Sequence, residues 1–211
     1  MRKILLAALF TVTATVANAA IIGGGPQVVQ RTVGGAPAGT VVNAIQISFD
    51  EQLFGQQMVV QLDSGSIFQQ ATFGGETAPN DALIGAFPDV EADTFVSIGG
   101  LTLNTSSSTL VVGGSTELGM NGPKQIDTAG INIAWAPSPG VVIPSGTDFP
   151  IAQVTLSGDA NGSVFLFSNS GGTGQIFEGS VRNGVVSFIP EPTTCVLAGL
   201  ALVGFAARRR V

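Results

Sequence analysis

The chain has no histidine and no tyrosine, and its single cysteine is Cys195, sixteen residues before Val211. A triad with a histidine base, a histidine-ligated zinc or haem, a thiol nucleophile and a thiolate-bound cluster are therefore excluded from everything before residue 195. No intramolecular disulfide can form, so packing must supply the stability. Positive charge is equally scarce. Five of the eight basic residues sit at the two ends, which leaves residues 20–189 with Arg31, Lys124 and Arg182 against thirteen carboxylates, a net charge of about −10. So acidic a region, with no basic stripe and one tryptophan, repels phosphate backbones and excludes nucleic-acid binding. A Ser-Lys dyad would have to use Lys124, which stands between Pro123 and Gln125 as a solvated side chain.

What is present begins with the ends. Met1-Arg2-Lys3 is a positive n-region, residues 4–16 form an apolar run, and Ala17-Asn18-Ala19 supplies small residues at the positions a signal peptidase reads. Residues 1–19 are expected to be a secretory signal peptide cleaved after Ala19. At the other end, Pro190-Glu191-Pro192 interrupts any regular element. Residues 193–207 follow without a charge, and Arg208-Arg209-Arg210 close the run. As a helix, residues 193–207 reach roughly 22 Å, short of the roughly 30 Å hydrocarbon layer. Snorkelling arginines make up the difference and hold the basic end on the cytoplasmic side.

Residues 189–211, with Pro190-Glu191-Pro192, Gly199 and Gly204 inside the apolar run and a triple-arginine end, resemble the PEP-CTERM sorting signal of exported bacterial proteins. That resemblance implies recognition by the membrane protease exosortase, removal of the helix and basic tail, and delivery to the cell surface or an exopolysaccharide matrix. Secretion machinery, the membrane and exopolysaccharide are the partners it implies. It describes an address for the chain and leaves the activity of the middle open.

Between the ends, residues 20–40 carry Gly23-Gly24-Gly25-Pro26 and Gly34-Gly35-Ala36-Pro37 and read as a flexible linker or a first strand. Residues 41–188 are short stretches rich in Val, Ile, Phe and Thr, punctuated by Gly, Asn, Asp, Pro and Ser. Residues 41–49 alternate Val41, Asn43, Ile45, Ile47 and Phe49 on one face. Ile131, Ile133 and Trp135 share a face in the same way, so the tryptophan is expected to be a core anchor, with a sugar-stacking platform as the alternative. Residues 67–68, 94–98 and 101–103 read as the starts or bodies of further strands. Asp159-Ala160-Asn161-Gly162 between two apolar runs reads as a hairpin turn, and Asn183-Gly184 as a second one. Residues 81–84 read as one helical turn or a loop. Double glycines recur at unequal intervals, which excludes a regular solenoid.

The expected fold class is all-β, an antiparallel two-sheet sandwich or jelly roll, flanked by the signal peptide and a short C-terminal transmembrane helix. Alternate positions such as Gln46, Ser48, Ser97 and Thr102 are expected to face solvent. The organisation resembles cohesin-like and carbohydrate-binding sandwich domains, a likeness of architecture that transfers no function.

The candidate ligand cluster is Asp89, Glu91 and Asp93. On an extended chain their carboxylates fall on one face about 6–7 Å apart, an oxygen cage of the kind calcium accepts. A solvated acidic loop is the alternative. Asp159 to Gly162 lacks the later acidic ligand of a calcium loop. Carboxylate-only glycoside hydrolysis needs a pair of acids, for which Asp50-Glu51 and the 89–93 cluster are candidates, but such clefts are normally lined with Trp, Tyr, His and Arg. The expected function is therefore a non-enzymatic surface or matrix protein. A carbohydrate-binding module, calcium-dependent or not, is the first alternative and a carboxylate glycosidase the second.

Overall fold

The computed structural model describes residues 21–101, 108–118 and 122–189. These form eleven strands: β1 Ile21–Arg31, β2 Thr40–Phe49, β3 Leu53–Ser64, β4 Phe95–Val96, β5 Thr109–Gly113, β6 Gln125–Ile126, β7 Gly130–Pro137, β8 Gly146–Ser157, β9 Asn161–Ser170, β10 Thr173–Arg182 and β11 Val185–Phe188. One four-residue helix, α1 Asp81–Ile84, and one 3-10 turn, Pro88–Ala92, lie between β3 and β4. The expected signal peptide, including Ala17 and Ala19, the motif residues Pro190, Glu191 and Pro192, the expected transmembrane run 193–207 and Arg208 to Arg210 lie outside the described residues. So does Thr102. Among the described residues, no helix is long and apolar enough to cross a membrane.

The strands make two antiparallel sheets. The smaller has the order β1-β2-β8-β4, and the larger runs β11-β10-β9-β3-β7-β5, with β6 also paired to β7. Period-two alternation explains the core between them. Ile45, Ile47 and Phe49 of β2 and Leu156 of β8 meet Met58 and Val60 of β3, Ile131, Ile133 and Trp135 of β7, and Val164 and Leu166 of β9. Each turns one face inward because successive strand side chains point to opposite faces. Trp135 is 1% exposed. Its indole N–H donates to Ser97 O across the core at 3.0 Å, so the one polar atom of the largest core side chain is satisfied.

Several local expectations differ from the structure. The Asn161-Gly162 turn does not close a hairpin, because β8 pairs with β2 and β4 whereas β9 pairs with β3 and β10. The chain crosses from one sheet to the other there. A Cβ on Gly162 would stand 2.0 Å from Gln61 O, so glycine at this point permits close approach to β3. Asn183-Gly184 does close the β10–β11 hairpin, with φ of 50° and 75°, the left-handed pair that a two-residue turn of this kind requires. Ile67 makes a single bridge to Leu156 and no strand follows it. Ser97 is buried, and Gln46 and Ser48 are half-buried.

The reason is a third layer. Residues 65–94 fold back over the outer face of the smaller sheet, where Val42 of β2 packs with Val33 and Ala92 and against Ala36 and Phe68. Both faces of that sheet are thus covered, and alternation no longer separates buried from exposed positions. Residues 21–31, for which the sequence offered linker or strand, are the outer strand of the smaller sheet. Gly23, Gly24 and Gly25, all at positive φ, sit in the irregularity between its two paired stretches.

Asn43 ties the two sheets at their open side. It is fully buried on β2, and its amide nitrogen donates to Gly184 O at 2.9 Å and to Val154 O at 3.2 Å. Its amide oxygen accepts from Val186 N at 3.1 Å. A side chain of the smaller sheet thereby satisfies the backbone of the outermost strand of the larger one.

Candidate functional site

The acidic cluster is not extended. Pro88 opens a 3-10 turn over Pro88–Ala92, because proline presets the backbone angle of a first helical residue and its missing N–H costs nothing there. Three residues per turn sends the side chains at 89 and 91 in different directions. Each carboxylate then has its own partner in the protein. Glu91 pairs with Arg31 at 3.3 Å. Asp89 accepts from the Gln70 amide at 3.3 Å. Asp93 is fully buried and accepts the backbone N–H of Gln70 at 2.8 Å and of Gly75 at 2.9 Å.

Gln153, on the outer face of β8, completes the network. Its amide nitrogen donates to the carbonyls of Glu91 and Asp93, each at 2.8 Å, and its oxygen accepts from Arg31. Arg31 on β1, Gln153 on β8 and the 70–75 loop are thus joined through residues 89–93. Burial pushes the Asp93 carboxyl above its ordinary value of 3.8, with the nearby Asp89 charge adding to the rise, while N–H donors from Gln70, Gly75 and Thr94 oppose it. Among the described residues, no three Asp, Glu, His or Cys side chains gather in a group able to hold a metal ion. The arrangement acts as a polar staple that holds the third layer down.

Other charged groups of the described residues are dispersed. Lys124 is paired with Glu76 at 2.6 Å on the surface. Asp127 closes its own turn by accepting from Ala129 N at 2.8 Å and from the Gln125 amide at 3.1 Å, and these bonds hold its carboxyl below the ordinary range. Asp159 accepts from the Ser157 hydroxyl at 2.6 Å in the crossover.

Three shallow grooves mark the described surface. One, of about 330 Å³, separates β1 from β11 and is lined by Pro26, Val28, Val185 and Phe188 among others. A second, of about 260 Å³, lies beside it between Ile21 to Gly25 and Gln175 and Phe177. The third, of about 230 Å³, lies on the outer face of the larger sheet against Phe54, Gln57, Val112, Phe167 and Asn169.

The first groove lies where the chain leaves the domain. The β10–β11 ladder ends with Ile189 N–H donating to Glu178 O at 2.9 Å, and Pro190 follows directly. Ile189, the last described residue, thus bonds to β10 directly before Pro190-Glu191-Pro192 in the sequence. Sequence reasoning found the motif but had no means of seeing that the residue before it is bonded to Glu178, because that depends on the register of β10 with β11.

No curated protein and no solved structure matches this chain. Residues 188–210 match the family model of the PEP-CTERM protein-sorting motif, and that motif implies recognition by an exosortase and an exported, membrane-associated precursor.

Proposed function

We propose that the chain is an exported, non-enzymatic protein of the cell surface or exopolysaccharide matrix. Residues 1–19 direct export, residues 193–207 hold the precursor in the membrane, and an exosortase processes it at or beside Pro190-Glu191-Pro192. The observation that carries this reading is the sorting motif at residues 188–210, which begins at the last residue of β11 in the sandwich. The absence of His, Tyr and thiol chemistry before residue 195 supports a non-enzymatic role. The engagement of Asp89, Glu91 and Asp93 by Gln70, Arg31 and backbone N–H groups supports it further.

The test is to follow the protein in a host with and without its exosortase. Glu191→Ala should leave an unprocessed, membrane-bound precursor in the complete host, as should the wild-type chain in the host lacking the enzyme. Normal release in both cases would refute the reading.

A carbohydrate-binding role is the second reading. It is favoured by the groove on the outer face of the larger sheet, where Phe54 is 48% exposed and the amide-bearing Gln57 and Asn169 lie beside Phe167. Aromatic faces flanked by planar amides suit sugar rings. A glycan array probed with wild type and with Phe54→Ala, with and without chelator, separates the two. Selective binding lost in the variant supports recognition, and a blank array supports a purely structural part.

A further inference from the structure

We propose that the outer face of the larger sheet binds a neutral polysaccharide laid across its strands, in a trough open at both ends. The inference rests on the carbohydrate-binding reading above and specifies its site and its ligand.

The strand registers put the trough on a single face. Met58, Trp135, Leu166 and Phe177 point into the core, so their neighbours on β3, β7, β9 and β10 point outward. Ile176, Phe167, Gln57 and Ala134 are partners in one row across those four strands. Two residues along, Gly174, Asn169 and Gly55 form a second row, which Ala136, paired with Leu110, carries on to β5. Phe54 and Val112, at the irregularities of β3 and β5, line the same groove.

Small residues make the floor. Gly55, Ala134 and Ala136 leave a furrow, and a Cβ on Gly55 would meet nothing closer than Trp135 O at 3.6 Å. Phe54, Leu110, Val112 and Ile176 stand exposed around it. The Phe167 ring lies over Gly174, where a Cβ would come within 2.5 Å of Cε2, so the ring lies along the sheet instead of standing off it. Apolar side chains with a few fixed polar groups suit a sugar ring, which is apolar on its faces and polar at its rim.

Two amides supply the polar groups. Gln57 Oε1 accepts from the backbone N–H groups of Thr116 and Glu117 at 2.8 and 2.9 Å, which fixes that side chain. Its amide nitrogen has two hydrogens and, among the described residues, one acceptor, Thr116 Oγ1 at 3.4 Å. Asn169 Oδ1 accepts no hydrogen bond among the described residues, so turning that amide toward a ligand breaks none at the oxygen. A sugar hydroxyl, which both donates and accepts, answers either group.

Charge and area select the occupant. None of the trough residues is charged, and the nearest charged residues by register and hydrogen bonding, Glu178 on β10 and Glu117, are acidic. In a region of net charge about −10, that repels a uronate, sulfate or phosphate polymer and leaves a neutral one. Five strands about 4.8 Å apart and two rows about 6.7 Å apart give a surface on the order of 300 Å². A specific protein interface takes about 800 Å² from each partner, and a second copy would bring the same negative charge with it. The ends are open because β5 is the outer strand on one side and, on the other, β11 pairs with β10 only at residues 179–182. A long chain can therefore continue past both.

The experiment runs the full chain, in a polyoxyethylene detergent, through native gels containing a neutral β-glucan, a neutral mannan or a polyuronate, and titrates it with neutral oligosaccharides of increasing length. Retardation by a neutral polymer and not by the polyuronate, with affinity rising several-fold along the oligosaccharide series, is the expected result. Gly55→Leu fills the floor without removing a contact and should weaken binding by about tenfold or more at an unchanged Tm. Val112→Glu, which sets a carboxylate at an exposed position of the outer strand, should weaken it likewise. Retardation by the polyuronate, or binding of a neutral polymer that both variants retain, overturns the inference and leaves the carbohydrate reading intact at another site. Self-association that Gly55→Leu strengthens and glycans do not alter overturns it in favour of a second copy. No retardation by any of the polymers overturns the carbohydrate reading and the inference with it.

Discussion

Replacing Asn43 with alanine tests how the two sheets are held at the side from which the tail departs. The Asn43 amide satisfies Gly184 O and Val186 N, both on the β10–β11 hairpin, from a fully buried position on the opposite sheet. Alanine leaves a buried N–H and a buried carbonyl without those partners. Each such loss costs about 1–3 kcal/mol, so the pair should cost roughly 2–5 kcal/mol. For a domain of this size that is a fall in Tm of about 5–15 °C. Asn43→Asp keeps an acceptor for Val186 but loses the donor and buries a charge, so it should be at least as damaging at neutral pH. The assay is thermal unfolding of the full chain in detergent, read by Trp135, the only tryptophan, which sits in the core. Gln27→Ala, at an exposed position on β1, is the control. An Asn43→Ala shift no larger than that of the control would refute the claim that this amide closes the open side.

The Asp93 staple gives a pH dependence. The folded state raises this carboxyl above 3.8, so it holds the proton more tightly than the unfolded chain does. Its contribution to stability is therefore greatest below the unfolded value and declines as pH rises through the folded one. Asp93→Asn should remove that decline, and unfolding midpoints measured across the acidic range in wild type and variant will show whether it does. Gly35→Ala would place a Cβ 1.9 Å from the Pro88 carbonyl, and the forced shift of the 3-10 turn should cost on the order of 1–3 kcal/mol, seen as a lower denaturant midpoint. Lys124→Ala breaks only a surface pair with Glu76 and should change stability by less than about 1 kcal/mol in the same measurement.

Strand content and the central core were legible because Ile45, Ile47, Ile131, Ile133 and Trp135 alternate with small or polar residues in the sequence, although β2 and β7 are largely buried on both faces. The Asn183-Gly184 turn was legible because two adjacent left-handed residues have few sequence solutions. Asn161-Gly162 carried the same local signal but joins strands of different sheets. Turn chemistry reports a reversal of the chain and not which sheet receives it. The third layer was illegible for a related reason. Residues 65–94 contain little regular structure, and their contact with Val42 depends on which face of β2 is left over once the main core is filled. The expectation that Asp89, Glu91 and Asp93 share a face assumed extended backbone. Pro88 starts a 3-10 turn instead, and the partners Gln70, Arg31 and Gln153 come from distant segments. The sorting motif was readable in full because its parts are contiguous.

The central claim is that the sequences at the two ends govern transport and are removed from a folded middle. Intact-mass measurement of the protein recovered from its own host tests it most directly. The account predicts a species beginning at Ala20 and ending close to Pro190-Glu191-Pro192. Recovery of only the full 211-residue chain from the cytoplasm would contradict it.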